Sequence, residues 1–468
     1  PIIFVYFKIF PLIWFFLITA LSIRLAKKIH NSPHFVGIYL FFIFFGGSFG
    51  YLLSLKNSGS LWESSSLLAM QSGHSLINPP YAISLIFILA ILNILIDKKQ
   101  NYKVFIVLGI LTFLCFAFKF YAGVIGLVLI VSNYFFTFLK KRNISSFTSG
   151  AFLLFIFAIL SIFLFYDPFG SSKSGSAFSL SPLSLIHPFI EERKLFYMEQ
   201  TVLARYFLQE QGIGPRLLYI EGLTISLFLF FNFGTRIFGF LYIAHLALRK
   251  KLAIFDLSVL IAILTGILLP SLFVQRGEWW NTIQFFYFSL FLANIYISQL
   301  LYKLISKKTA TRLLLFVVVL ILTIPINIDL LRDFTAWPSQ SFVPKYELEA
   351  LSHLRKLPEG IVLTAHHNKN LKSKFQSPYP LAFYDDTAYV SAFSKKTTYI
   401  SNETQLRLLG IDYKKRMEKL FRSDCNILDN VDYIYELKQN PIYTSYSKCN
   451  PAFKLSFQNK IVQIYSKK

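Results

Sequence analysis

The sequence predicts a polytopic α-helical membrane bundle of about ten crossings, followed by a small extracytoplasmic α/β or α+β domain. Three observations predict it. Apolar stretches of about 20 residues recur from the N-terminus to roughly Ile328, each long enough to span a hydrocarbon core of about 30 Å. Lys and Arg gather in alternate links between those stretches. From Lys345 onward the composition becomes that of a soluble domain. A hydrophobic fraction of 54% agrees with the first point, as do 52 Phe and 26 Tyr, which serve a lipid-exposed bundle as packing and as interfacial anchors. The mean hydropathy of +0.52 points the same way.

The crossings read as Ile2–Ser22, Phe35–Leu53, Tyr81–Ile96, Val104–Phe118, Tyr121–Leu139, Ser149–Tyr166, Leu217–Leu248, Ile254–Val274, Ile283–Tyr302 and Leu313–Ile328. Leu217–Leu248 would extend about 48 Å as one helix, so the stretch Asn232-Phe233-Gly234-Thr235-Arg236 is expected to kink or break it. The domains then follow: 1–333 transmembrane, with outer links 54–80, 167–216 and 275–282; 334–344 a linker; 345–468 the soluble domain.

Charge sets the sidedness. The net charge is +23. In a soluble protein that would suggest nucleic acid, but here the basic residues lie in short links, so nucleic acid is excluded as a partner. Arg24, Lys27, Lys28; Lys98, Lys99, Lys103; Lys140, Lys141, Arg142; Arg249, Lys250, Lys251; and Lys303, Lys307, Lys308, Arg312 share their links with one acid, Asp97. These links are read as cytoplasmic. Pro1 and the C-terminal domain are then outside. That parity, with a chain that starts at Pro1 and lacks a signal-peptide cleavage site, carries the expectation that a crossing precedes Pro1.

The outer links hold the candidate chemistry. Glu63, Glu191, Glu192, Glu199, Glu221 and Glu278 could supply a base; Lys119, Arg193, Arg205, Arg216 and Arg276 could clamp a phosphate. Surface solvation, anchoring or structural ion pairing is the competing reading for each. Lys119 stands out at a very short outer turn, Phe118-Lys119-Phe120-Tyr121, where it could meet a lipid phosphate or snorkel. Arg276 and Glu278 adjoin Trp279-Trp280, and Trp62 lies in the first outer link; these indoles suit either sugar stacking or the headgroup level. Arg236 should face a cavity or a partner. Ile190–Gln211 reads as a helix along the membrane surface.

In the C-terminal domain Tyr346–Lys356, Asn402–Leu409 and Tyr413–Arg422 read as helices, and Ile361–Ala365 and Val431–Leu437 as strands. Phe453–Ser466 reads as a hairpin turning at Gln458-Asn459. Cys425 and Cys449 could form a disulfide around Val431–Leu437 or remain buried thiols, while Cys115 is packing. His366-His367 reads as a solvated loop pair. There is no phosphate-cradling loop, G-x-S-x-G elbow or H-E-x-x-H.

This architecture resembles the GT-C superfamily of membrane glycosyltransferases. The likeness lies in many crossings, long outer links and a terminal outer domain. It lies also in the C-terminal pattern Glu349-Ala350-Leu351 through Leu357-Pro358-Glu359-Gly360-Ile361-Val362-Leu363-Thr364, then Ala388-Tyr389-Val390-Ser391-Ala392-Phe393 before Lys396-Thr397-Thr398-Tyr399. The resemblance implies a polyprenyl-phosphate sugar donor and a glycan or lipid acceptor at the outer face of the plasma membrane. It implies direct displacement at the anomeric carbon, with a carboxylate base and the phosphate steadied by Lys, Arg or a divalent metal. The superfamily's acid lies in the first outer loop, which would precede Pro1, leaving Glu63 as the candidate in this sequence. The competing classes are an O-antigen-type polymerase or ligase, which would use paired outer arginines, and a transporter, which would show a repeated half that this sequence lacks.

Overall fold

In a computed structural model the chain divides into two units, Pro1–Phe334 and Thr335–Lys468. The structure describes residues 2–62, 78–97, 101–142, 144–166, 178–275, 279–306, 309–336, 340–408, 411–446, 448–449 and 453–467.

The first unit is helical because its apolar runs leave backbone groups no partner but themselves in lipid. In order it comprises α1 (Ile2–Ile29), α2 (Pro33–Phe45), α3 (Gly50–Ser58), α4 (Pro79–Leu95), α5 (Tyr102–Phe118), α6 (Phe120–Lys141), α7 (Ile144–Tyr166), β1 (Phe178–Leu180), α8 (Pro188–Glu191), α9 (Glu199–Glu210), α10 (Pro215–Phe233), α11 (Ile237–Leu248), α12 (Ile254–Leu272), β2 (Phe273–Gln275), α13 (Gln284–Ile305), α14 (Ala310–Thr323) and α15 (Pro325–Ala336). Among the described residues six spans are long and apolar enough to cross a membrane, and a seventh counts if α2 and α3 are one bent span; α4, α5 and Gly150–Tyr166 are shorter apolar helices. The protein is a multi-pass membrane protein on this evidence, while ten crossings would require each shorter helix to span as well.

Helix ends follow local chemistry. Asn78 caps α4 by accepting from Tyr81 N at 3.3 Å, with Pro79 and Pro80 in the first turn, where missing N–H groups cost nothing. Lys27 and Lys28 end α1, where cations suit the carbonyl end of the dipole.

Several expected spans come out differently. Phe35–Leu53 is not one helix: Gly46 and Gly47 separate α2 from α3 with a 48° bend. The Leu217–Leu248 span breaks where expected, at a 3-10 turn over Gly234–Arg236. The eighth span stops at Leu272 because Phe273–Gln275 pairs antiparallel with Phe178–Leu180, a pairing without a sequence signal. The last span is interrupted for one residue at Ile324, before Pro325, which cannot donate to the preceding turn. Ile190–Gln211 is not a single helix; residues 192–198 turn the chain between α8 and α9.

The two breaks meet. Phe49 N donates to Phe231 O at 2.8 Å. Arg236, fully buried, donates from Nε to Asn294 Oδ1 at 2.8 Å and from Nη1 to Gly47 O at 3.1 Å. Gly234 has φ +56°, and a Cβ there would overlap Gly47 O.

The second unit is built on a five-stranded mixed sheet of order β6-β4-β7-β9-β8. β4 (Ile361–Thr364) runs parallel to β6 (Thr397–Thr398) and β7 (Tyr433–Leu437), while β9 (Val462–Lys467) is antiparallel to β7 and to β8 (Phe453–Gln458). Alternate residues face opposite sides. Val362, Tyr433 and Tyr435 pack with Leu351 and Leu354 of α16 (Lys345–Lys356). Leu363 and Ile434 pack with Leu420, Ile427 and Leu428 on the other face. The hairpin turn is held by Asn459 Oδ1, which accepts from Ile461 N and Val462 N. Cys425 and Cys449 form a disulfide across a separation of 24 residues that includes β7. The stretch 334–344 is not wholly a linker, since β3 (Ser341–Phe342) pairs with β5 (Tyr379–Pro380).

Gly234→Ala should cost about 3 kcal/mol or more, through strain at positive φ and overlap with the Gly47 carbonyl. Gly222→Ala, with nothing within 4 Å of the added carbon, should cost nothing. Thermal unfolding of the full chain in one detergent compares the two.

Candidate functional site

The links read as outer contact one another. Asn57 Nδ2 donates to Lys194 O and Leu195 O at 3.1 and 3.0 Å, and Lys56 Nζ lies 4.0 Å from the Phe196 ring centroid. β1 pairs the 167–216 link with the 275–282 link. At the links read as inner, Lys28 Nζ pairs with Asp97 Oδ2 at 2.7 Å, and Lys303 Nζ meets His245 Nε2 at 3.3 Å. Like meets like, as an alternating bundle requires.

The best-built polar group at the outer-read end joins α8, α9 and α10. Arg205 donates from Nε to Glu221 Oε1 at 3.0 Å, and from Nη1 to Glu191 Oε1 at 2.9 Å. Its Nη2 lies 2.7 Å from His187 Nδ1. An arginine only donates, so Nδ1 accepts and His187 Nε2–H donates to Glu221 Oε2 at 2.8 Å. Burial, with the Arg205 charge beside it, holds His187 below its ordinary value despite Glu221 and Glu191. Tyr206 OH adds a bond to Glu191 Oε1 at 3.0 Å. Behind the group, Phe189 packs on Phe228 and Phe231 of α10. Arg205 is thus committed to two carboxylates and an imidazole. It is a brace for the 167–216 link, not a cation open to phosphate. Glu221, read from the sequence as a possible base, is instead held by Arg205 and His187, which sit on separate segments with no spacing signal.

Lys119 occupies the joint between α5 and α6. Its Nζ reaches Asn78 Oδ1 at 3.4 Å, and no carboxylate pairs with it among the described residues. Burial pushes its ammonium below the ordinary value. Aromatic rings surround the joint: Phe118 meets Phe87, and Phe120 meets Phe178, Tyr166 and Phe285. One residue on, Tyr121 OH donates to Gln275 Oε1 at 2.8 Å, and Asn281 Nδ2 reaches the same oxygen at 2.8 Å.

Trp62 is exposed, and Trp280 is half-buried against the main helical core. Glu63, Arg276, Glu278 and the Trp279 side chain lie outside the described residues. Arg236 faces oxygen atoms in the core and is not at the outer end. Among the described residues no three His, Cys, Asp or Glu side chains converge on a metal-sized space, so no described group fits a divalent metal and no step is derived through one. His366-His367 does follow β4 as a loop, but both residues are half-buried and line a cleft instead of standing in solvent.

No family model matches the chain, and no curated protein matches it. Among solved structures it is similar to the archaeal oligosaccharyltransferase AglB from Archaeoglobus fulgidus, determined in complex with an inhibitory peptide and a dolichol-phosphate. The likeness has a TM-score of 0.45 and 12% sequence identity, and covers 92% of this chain and 58% of AglB.

Arg205→Ala should destabilise the first unit by about 3 kcal/mol or more, because two carboxylates lose their cation in a half-buried place. Arg205→Lys should recover little of this, since one ammonium cannot reproduce the three-way fork. Thermal unfolding of the two variants beside the unaltered chain measures both.

Proposed function

We propose that the chain is a glycosyltransferase-like membrane protein that takes a sugar from a polyprenyl-phosphate donor at the extracytoplasmic face. The observation that carries this reading is Lys119. It is a cation sunk between two apolar helices, ringed by aromatic side chains, with an amide oxygen as its only hydrogen-bond partner among the described residues. Such a cation gains most from an anion that arrives with an apolar tail, and a lipid phosphate is that ligand. The links read as outer support the same end as the working face, since they brace one another through Asn57, β1–β2 and the Arg205 group.

In this mechanism Lys119 holds the donor phosphate and offsets the charge that grows on it as the bond to the anomeric carbon breaks. A carboxylate takes the acceptor proton. Glu63 is the candidate for that role in this sequence. Trp62 and Trp280 offer indole faces to the sugar or to headgroups. Glu191, whose Oε2 receives no hydrogen bond among the described residues, is a second carboxylate at this end. The Arg205 brace keeps the link in place and does not touch the donor.

Lys119→Met should lower kcat/KM by about 10- to 100-fold in membranes supplied with labelled polyprenyl-phosphate sugar, the value of one charge-assisted hydrogen bond. Lys119→Arg should retain most of the activity. Equal turnover in Lys119→Met would remove the phosphate role, and no transfer by the unaltered chain would remove the reaction.

Sidedness has its own measurement. Lys415→Cys, on an exposed helix of the second unit, should react with an impermeant maleimide in right-side-out vesicles before lysis. Reaction only after lysis would place the unit in the cytoplasm.

A further inference from the structure

The carboxyl ends of the parallel strands β6, β4 and β7 open into a cleft of about 70 Å³ in the second unit. Carboxyl ends of parallel strands are where open α/β sheets bind ligands, because several loops converge there. Space of this size holds on the order of five waters. That is the scale of one sugar ring and too small for a nucleotide.

The polar atoms of the cleft are unusual in sign. His366 Nδ1 faces His367 O at 2.7 Å, and His367 Nδ1 faces Ala382 O at 3.2 Å. A carbonyl only accepts, so Nδ1 of each ring carries a proton, and Nε2 is an acceptor whenever the ring is neutral. Burial holds His366 below its ordinary value, which favours the neutral ring. Asp386 is already occupied: its oxygens accept from Asn402 N at 3.0 Å and Glu403 N at 2.7 Å. Asp385 uses Oδ1 for Asp386 N, and Glu403 uses Oε1 for Tyr413 OH, which leaves Oδ2 and Oε2 to a ligand. Thr387 Oγ1 is buried with no hydrogen-bond partner among the described residues.

The cleft therefore offers acceptors and few donors. No Lys or Arg lines it among the described residues, so an anion meets only like charge. The acceptors do not converge closely enough for a metal ion. A ligand that suits it must carry several donors spread over a few ångströms, with an apolar face for Phe383 and Met417. Sugar hydroxyls on a pyranose ring have that pattern.

We propose that this cleft binds a single saccharide unit, neutral or amine-bearing, through Asp385, Glu403, Thr387 and the two imidazoles. The site belongs to the second unit and stands whether or not the first unit transfers sugar.

The test is saturation-transfer-difference NMR on the full chain in lipid nanodiscs, with glucose, mannose, galactose, glucosamine and inorganic phosphate as separate probes. At least one sugar should bind and phosphate should not. Asp385→Asn with Glu403→Gln should weaken that sugar about 10-fold, the value of a hydrogen bond to a charged acceptor. Thr387→Val, which removes one hydroxyl and keeps the shape, should weaken it by a smaller factor. Absence of binding by every sugar, equal binding by the Asp385/Glu403 variant, or preference for phosphate would each overturn the site. The thermal midpoint of each variant is read in parallel; should the double variant unfold early, Thr387→Val decides, and an unaltered affinity there overturns the site.

Discussion

The Arg236 guanidinium is the constraint around which the first unit is arranged. An ionised group in an apolar interior costs several kcal/mol unless oxygens surround it. Here the described donors from Arg236 end on Asn294 Oδ1, Gly47 O and Phe233 O. An intact helix would not offer those carbonyls, because its own N–H groups already use them. They are free because two spans break at the same depth, α2–α3 at Gly46-Gly47 and α10–α11 at Gly234. A Cβ at Gly46 would overlap Arg236 Nη2, so the glycines that permit the breaks also admit the charge. Neighbouring bonds extend the joint: Thr235 and Thr323 hydroxyls lie 2.6 Å apart, and Asn327 Nδ2 donates to Phe45 O at 2.7 Å.

That joint sets what lies beyond it. α3 continues past the first break and brings Asn57 to the carbonyls of Lys194 and Leu195. α10 approaches the second break carrying Glu221, which holds Arg205 and through it α8 and α9. The long 167–216 link is thus tied to both broken spans. Phe189 stacking between Phe196 and the α10 phenylalanines fills the space between the ties. Lys119 stands apart from this brace, on the α5–α6 joint. Its ammonium reaches Asn78 Oδ1 and takes no part in the brace.

Much of this was legible in the residues and some was not. Apolar runs gave the helices, because length and hydropathy are local properties. The break at Gly234–Arg236 could be read from a charge and a glycine within one run. The break at Gly46-Gly47 could not, since two glycines in an apolar helix need no break unless something approaches them, and Arg236 comes from a distant part of the chain. Arg205 was legible as a cation, with a phosphate clamp and a structural ion pair both open as readings; the structure shows the ion pair. Its partners Glu191, Glu221 and His187 sit on three separate segments, and no spacing in the chain announces that they meet. In the second unit, period-two patterning placed β4, β7 and the β8–β9 hairpin, but the five-strand order and the cleft at the strand ends required the pairing itself.

By itself the sequence determined that this is a multi-pass membrane protein with alternating basic links and a separate terminal domain. Those features follow from composition along the chain, and the cost of unpaired backbone in lipid leaves no other solution. Only the tertiary structure decided which charges are spent and which remain available. The Arg205 ion pairs join separate helices, and the carbonyl cage joins residues more than a hundred positions apart, as Gly47 and Arg236 are. Whether a cation is a brace or a site depends on its neighbours in space, and the chain order does not contain them.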